Sequence, residues 1–350
     1  MAQFHKLSIK NIQQLTKDAV SLTFSIPENL KQQFNFIAGQ YITLKAKINS
    51  TEVRRDYSLC SSPKSGEITV AVKAVENGTF SKFANNDLKI GDTLEVAEPQ
   101  GRFIFNPDAT KTRTIAAFAA GSGITPVLSI AKTVLEEEPN STFVLVYGNK
   151  TTNDTMFLDE LLQLHHEYKA RFDVQLVFSQ SQEPDALFGR IEKSTVNLIV
   201  KNKYKHTTID AFYLCGPEAM IHTVKDVLAE NNITEDSIFF ELFKVATPEP
   251  IISTINTGET NITVLVDDEE ESFVMSQKQT ILEAALEKDL DAPYSCQGGI
   301  CSSCIARVTE GTATMRQNNI LTDNEVAEGL ILTCQAHPKS SKIVVDYDDV

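Results

Sequence analysis

Up to about Pro107 the chain alternates apolar and polar residues in short runs: Tyr41-Ile-Thr-Leu-Lys45, Ile68-Thr-Val-Ala-Val72 and Thr93-Leu-Glu-Val96. A period of two, with β-branched residues between Gly and Pro turns, predicts an antiparallel β-barrel or sandwich. The pattern then changes. Thr114-Ile-Ala-Ala-Phe118 is an apolar run that ends in Ala119-Ala-Gly-Ser-Gly123, and a helical stretch follows from Val127 to Glu137. Strands at Phe143–Tyr147, Val174–Phe178 and Ala211–Leu214 alternate with helices at Met156–Tyr168 and Glu218–Asn231. A long helical or loop region separates the last two strands. Such alternation predicts a parallel α/β sheet. Val245 to Gly258 carries Pro248 and Pro250 without a clear period and reads as a linker. A third block offers strand Ile262–Val266, helix Thr280–Lys288 and strand Lys342–Asp346. The expected domains are therefore 1–107, 108–245, a linker at 246–259, and 260–350.

Composition sharpens this picture in two respects. No apolar run approaches the roughly 20 residues that span a bilayer, and the N-terminus has no signal-peptide core. A soluble cytoplasmic protein without membrane contact is expected. The net charge of −15 argues against nucleic acid, which requires a basic surface. That charge is uneven: from Gly258 to Val350, 17 Asp and Glu face 6 Lys and Arg. The third block is thus strongly acidic. Its run Asp267-Asp-Glu-Glu-Glu271 fits either electrostatic steering or, more simply, a solvated face.

The chemistry is most explicit in the same block. Cys296, Cys301, Cys304 and the distant Cys334 have the C-x4-C-x2-C…C spacing of plant-type 2Fe–2S proteins. Gly298 and Gly299 permit a tight path, and the small Ser295, Ser302 and Ser303 leave backbone N–H groups free to approach sulfur. A structural zinc site is the competing reading, but it usually pairs two short cysteine knuckles, and only Cys301 and Cys304 form one. Disulfides would need an oxidising compartment. His165, His166 and His337 lack an accompanying ligand cluster and are placed in a solvated helix and a loop.

Arg55-Asp-Tyr57-Ser58 joins a cation, an aromatic ring and a hydroxyl on an extended segment, a set suited to a flat phosphorylated ligand. Asn77-Gly78-Thr79-Phe80-Ser81 supplies a glycine turn before a helix, where backbone N–H groups can seat phosphate. Ala120-Gly121-Ser122-Gly123-Ile124-Thr125-Pro126 follows a strand and opens a helix, but it is GxGxxP and not GxGxxG. Cys215-Gly216-Pro217-Glu218 ends another strand. Both loops therefore fall beyond the carboxyl ends of strands, where open α/β sheets bind ligands.

In this order, the motifs RDYS, GTFS, AGSGITP, CGPE, Glu241-Leu-Phe243 and the cysteine loop resemble the ferredoxin–NADP reductase superfamily with a fused plant-type ferredoxin. The resemblance extends over essentially the whole chain. It is nearest to reductase components of bacterial oxygenases, those of phenylacetyl-CoA ring-epoxidase systems in particular. It implies an FAD-binding β-barrel, a nucleotide-binding α/β domain and a C-terminal β-grasp ferredoxin domain. FAD would be held by Arg55, Tyr57, Ser58 and Lys73, with its phosphates near Gly78, Thr79, Phe80 and Ser81. Gly121, Gly123, Thr125, Pro126, Cys215, Gly216 and Pro217 would face the nicotinamide, and Phe243 would lie near the flavin. Ser58, Thr125 and Cys215 would form the hydride-transfer site, with no general base required. The implied flow is NADPH, or NADH, to FAD, to the cluster, to an oxygenase, from a reductase that is monomeric alone. Lys150, Ser179 and Gln180 stand where a 2′-phosphate would be read, with no arginine recognised beside them. The acceptor could also be a Rieske or steroid oxygenase, and a redox sensor without turnover is the contrasting class.

Overall fold

The computed structural model describes residues 3–243 and 258–350. The chain divides into two compact units, Phe4–Phe243 and a second that contains Gly258–Val350. Most of the expected linker, residues 246–257, lies outside the described residues.

The first unit begins with six antiparallel strands: β1 (Phe4–Thr16), β2 (Ala19–Ser25), β3 (Tyr41–Ile48), β4 (Thr51–Ser58), β5 (Ile68–Lys73) and β6 (Thr93–Ala97). Their order is β4-β3-β6-β1-β2-β5. A Leu59–Val70 bridge joins the end of β4 to β5 and closes the barrel. Inward residues such as Leu7, Leu22, Ile42, Leu44, Val70 and Val96 fill it. Helix α1 (Thr79–Asn86) caps it through the buried Phe80 and Ala84.

Beyond the barrel lies a six-stranded parallel sheet built from β7 (Thr114–Ala120), β8 (Thr142–Asn149), β9 (Phe172–Phe178), β10 (Leu187–Phe188), β11 (Ala211–Gly216) and β12 (Ile238–Leu242). The order β10-β9-β8-β7-β11-β12 puts β7 and β8 at the centre. Both are buried along most of their length, as parallel strands covered on two faces must be. Helices α2 (Ile124–Glu137), α3 (Leu158–Glu167), α4 (Lys193–Asn197) and α5 (Glu218–Glu230) connect them. The long region left open between residues 179 and 210 contains β10, α4 and a π-helical turn at Leu198–Lys203. Strand β12 escaped the periodicity because it is a short edge strand with exposed Phe239 and Phe240.

Barrel and sheet are tied side by side. Ser129 Oγ on α2 donates to Ser61 O (2.7 Å), Lys132 Nζ to Cys60 O (3.1 Å), and Tyr213 Oη on β11 to Ile104 O (3.1 Å). The first two bonds fix the segment after β4 against helix α2, and the third ties β11 to the chain leaving the barrel at Ile104.

The second unit is a five-stranded mixed sheet, β14-β13-β19-β15-β17. Its strands are β13 (Glu259–Val266), β14 (Glu269–Ser276), β15 (Ile305–Glu310), β17 (Leu330–Leu332) and β19 (Lys342–Asp346), with a small ladder of β16 (Ala313–Met315) and β18 (Ala336–Pro338). Helix α6 (Ile281–Leu286) buries Ile281, Leu282, Ala284 and Ala285. Thr280 is its N-cap, with a reciprocal Thr280/Glu283 capping box, so the helix starts one residue later than the apolar pattern suggests. A similar box at Thr322 and Glu325 starts α7 (Asp323–Ala327). The acidic run is a solvated face, exposed from Asp268 to Glu271, with a definite place in the fold. Asp267 and Asp268 form a two-residue hairpin turn, with φ of 54° and 60°, and Glu269–Glu271 begin β14. His337 also differs from expectation: it is buried in β18, not in a loop.

Candidate flavin, nicotinamide and iron–sulfur sites

Strand β4 places the RDYS residues at the open end of the barrel. Arg55 is exposed and its Nη1 donates to Arg54 O (2.6 Å); among the described residues its guanidinium has no carboxylate partner. Tyr57 is half-buried, with its ring 5.6 Å from that of Phe80. Burial pushes its phenol far above the ordinary range, so the ring is neutral. Phe80 is 1% exposed; it backs Tyr57, and position 80 can offer a ligand only its backbone. Lys73 ends β5, half-buried.

Gly78 is the N-cap of α1. A Cβ there would lie 2.3 Å from Ser81 Oγ and 2.6 Å from Val75 Cγ2, so only glycine fits. Ser81 Oγ accepts from Val75 N (3.2 Å). The hydroxyl shapes the turn, and the free N–H groups of the first helical turn remain for an anion.

Opposite, the two nucleotide-side loops meet backbone to backbone. A Cβ on Gly123 would lie 2.1 Å from Cys215 O. Tyr147 Oη donates to Gly121 O (2.9 Å) and Thr125 Oγ1 to Ser122 O (3.0 Å), which pins the glycine turn. Thr125 is 2% exposed and Pro126 is buried. Thr125 thus acts on the turn that carries it. Gly216 is buried and Pro217 exposed at the start of α5.

Cys215 pairs in register with Ala119 on one side and Glu241 on the other. Its thiol is fully buried, and burial together with the Glu241 carboxylate pushes its pKa well up. Glu241, to which the sequence reading gave no role of its own, faces the barrel. Ser58 Oγ donates to its Oε2 at 3.1 Å. Burial pushes the Glu241 carboxyl up to about 8, partly countered by the Ser58 hydrogen bond. The junction therefore unites Ser58, Cys215 and Glu241 as neutral groups at pH 7, with half-buried Phe243 just beyond in the chain. Such a wall can hold flat rings in contact and exclude water without supplying a competing base. The signal for Glu241 was its position at the end of an exposed edge strand, which the apolar pattern does not mark.

At the far edge of the sheet, Ser179 N and Gln180 N donate to Asn149 O (3.0 Å) and Lys150 O (2.8 Å). Strand β10 brings in a cation that the sequence reading missed. Gly189 N donates to Phe178 O (2.8 Å), and the parallel register Phe188↔Phe178 sets Gly189 next to Ser179, with Arg190 the following residue. Two residues are too few for a strand to register as a pattern.

In the second unit none of the four expected cysteines is in a disulfide. Cys301, Cys304 and Cys334 are buried and Cys296 half-buried. Cys304 and Cys334 lie side by side, and Cys296 is close enough to act on both. Gly298 N donates to Cys296 Sγ (3.3 Å) and Gln335 Nε2 approaches Cys334 Sγ (3.7 Å). Among the described residues no three His, Cys, Asp or Glu side chains converge on a single-ion site. A two-iron core asks instead for thiolates in pairs with N–H groups directed at sulfur, and this donor set fits it.

Comparison with known proteins agrees along the whole chain. An oxidoreductase FAD-binding domain matches residues 6–105, an oxidoreductase NAD-binding domain 118–226, and a 2Fe–2S iron–sulfur cluster binding domain 264–339. The chain is 38% identical over 353 residues to a subunit of 1,2-phenylacetyl-CoA epoxidase from Escherichia coli (strain K12), covering 99% of each. It is 30% identical to the ferredoxin reductase component of 3-ketosteroid-9-alpha-monooxygenase from Rhodococcus rhodochrous, covering 97% of this chain and 96% of the relative. The solved structure of phthalate dioxygenase reductase superimposes with a TM-score of 0.62 at 25% identity, over 98% of each chain. No helix of the described residues is long and apolar enough to cross a membrane. The chain belongs to the ferredoxin–NADP reductase superfamily, as an oxidoreductase of the oxygenase-reductase group that carries electrons from a pyridine nucleotide through FAD to a 2Fe–2S cluster.

Proposed function

We propose that this reductase serves a phenylacetyl-CoA ring epoxidase, taking electrons from NADPH and working as a cytoplasmic monomer. The observation that carries the reading is the full-length similarity to a subunit of the 1,2-phenylacetyl-CoA epoxidase of Escherichia coli. Lys150 and Arg190, two cations at the β8 and β10 ends of the sheet, support NADPH over NADH.

FAD supplies the conversion of one hydride into two single electrons, which a cluster can accept one at a time. Arg55 would pair with its pyrophosphate, and the N–H groups of Thr79, Phe80 and Ser81, on the turn shaped by Gly78, would seat the phosphates with Lys73 nearby. Tyr57 would pack on the ring system, and the Ser58 hydroxyl, which donates to Glu241, would lie beside its reactive nitrogen. Gly121, Gly123, Thr125 and Pro126 shape one wall of the nicotinamide slot; Cys215, Gly216 and Pro217 shape the other. Phe243 covers the flavin. Cys296, Cys301, Cys304 and Cys334 hold the two irons.

The test is reconstitution. NADPH with this reductase should support epoxidation of phenylacetyl-CoA by its oxygenase component, and Cys301→Ser should abolish that turnover while NADPH still bleaches the flavin. Coupling to a steroid or ring-hydroxylating oxygenase, with none to the epoxidase, would reassign the acceptor. Turnover at a normal rate in Cys301→Ser would refute the route through the cluster.

A further inference from the structure

We propose that the Ser295 hydroxyl and the Asn319 side-chain amide donate hydrogen bonds to sulfurs of the 2Fe–2S cluster and hold its reduction potential up. Buried polar atoms nearly always have a partner, but Ser295 Oγ and Asn319 Nδ2, on the two segments that flank the cysteine loop, have none among the described residues. Ser295 directly precedes Cys296, is 1% exposed, and its buried Oγ is unpaired. Asn319 lies across the loop: its backbone N donates to Gly299 O (3.3 Å). The same segment presses close, since a Cβ on Gly299 would lie 3.1 Å from Gln317 O. The Asn319 Nδ2 is buried and unpaired. Its neighbour Asn318 is fully engaged, with Nδ2 donating to Leu321 O (2.8 Å) and Oδ1 accepting from Leu321 N (2.9 Å).

Both orphans can donate, and both flank a loop whose other donors already address sulfur: Gly298 N on Cys296 and Gln335 Nε2 on Cys334. An anionic iron–sulfur core is the acceptor that completes the set. Hydrogen bonds to sulfur stabilise the more negative, reduced cluster and so raise its potential. Ser295 and Asn319 therefore tune the step from flavin to cluster without holding iron.

The proposal rests on reading the four cysteines as cluster ligands, and the experiment separates the two. The full-length protein with both cofactors is titrated redox-wise and followed by electron paramagnetic resonance. Ser295→Ala and Asn319→Leu should each disfavour cluster reduction about tenfold, ~59 mV for one electron, and leave the flavin potential in place. Ser295→Thr, which keeps the hydroxyl, should hold the wild-type value. Unchanged potentials in both variants, with full iron and acid-labile sulfide, would overturn the inference. Wild-type protein without iron and sulfide would instead overturn the cysteine reading. If a variant loses its cluster, the wild type decides. Hyperfine spectroscopy with asparagine labelled at its side-chain nitrogen should give a coupling to the reduced cluster, and a missing coupling refutes the Asn319 assignment.

Discussion

The two units solve opposite problems. The flavin–nicotinamide junction must admit and release a dinucleotide, and it is assembled from distant pieces: β4, the turn after β7, the end of β11 and the end of β12. Its closest contacts are backbone on backbone, and its side chains are neutral. The iron–sulfur unit must hold an inorganic core permanently. On the proposed reading it does so with one short loop and one further cysteine, with N–H groups of Gly298 and Gln335 directed at sulfur, in a unit rich in Asp and Glu. A transient ligand calls for shape distributed over the fold, whereas a resident one calls for covalent donors close in sequence. The two sites should accordingly fail in different ways and independently.

The largest separation is expected at Gly123. In Gly123→Ala the new Cβ would sit 2.1 Å from Cys215 O, so one loop must move. Overpacking of this kind costs about 3 kcal/mol, and a displacement near 1 Å in a reacting pair costs roughly 100-fold in rate. NADPH-driven flavin bleaching in stopped flow should fall by about that factor. The dithionite-reduced cluster should keep its wild-type resonance signal. Loss of that signal as well would break the claim of independence.

Glu241→Gln probes the neutral wall more gently. The carboxyl is raised from 4.5 to about 8 by burial, so between those values the folded state keeps a proton that the unfolded chain releases. Stability of the reductase unit therefore falls as pH rises from about 4.5 to about 8, and levels off above that. Gln should remove this slope and raise the melting temperature by a few degrees at pH 8, with no change near pH 4. Calorimetry that finds the same slope in both proteins would place the titrating group elsewhere.

The same contrast explains what could be read from sequence. Cys296, Cys301, Cys304 and Cys334 stand out in the sequence, and are proposed as the cluster ligands, because covalent donors to a compact core have fixed types and short spacing. The strands β13 and β19 were legible because one buried face imposes a period of two. Glu241 and Arg190 were not, since each acts through a pairing register between strands remote in sequence, and β10 is only two residues long. Ser81 and Thr125 were found as positions, but hydroxyls at turns compete for local backbone partners. Their contacts with Val75 N and Ser122 O follow from the turn and are invisible to a motif. The split between Asn318 and Asn319 likewise emerges only when each amide is followed to its acceptor.

The smallest effect concerns the acidic hairpin. The Asp267-Asp268 turn has two residues at positive φ, where Asp is tolerated and Gly is preferred. Asp348 accepts from both turn N–H groups, at 3.0 and 2.9 Å, so three carboxylates crowd one hairpin. Asp348→Ala should lower the stability of the iron–sulfur unit by about 1 kcal/mol, the value of an exposed charge-assisted contact. Asp268→Gly should raise it by about 0.5 kcal/mol, because it relieves both strain and repulsion. Neither change touches a cysteine, so the cluster spectrum should be constant, and melting followed by cluster absorbance measures the effect directly. The same variants bear on why the unit is acidic. If the turn is there to build β14, electron delivery to the oxygenase at physiological salt should be the same for Asp268→Gly and wild type. A slower, less salt-sensitive rate in Asp268→Gly would make the hairpin tip a steering surface instead, since exposed charges act over a Debye length of about 8 Å.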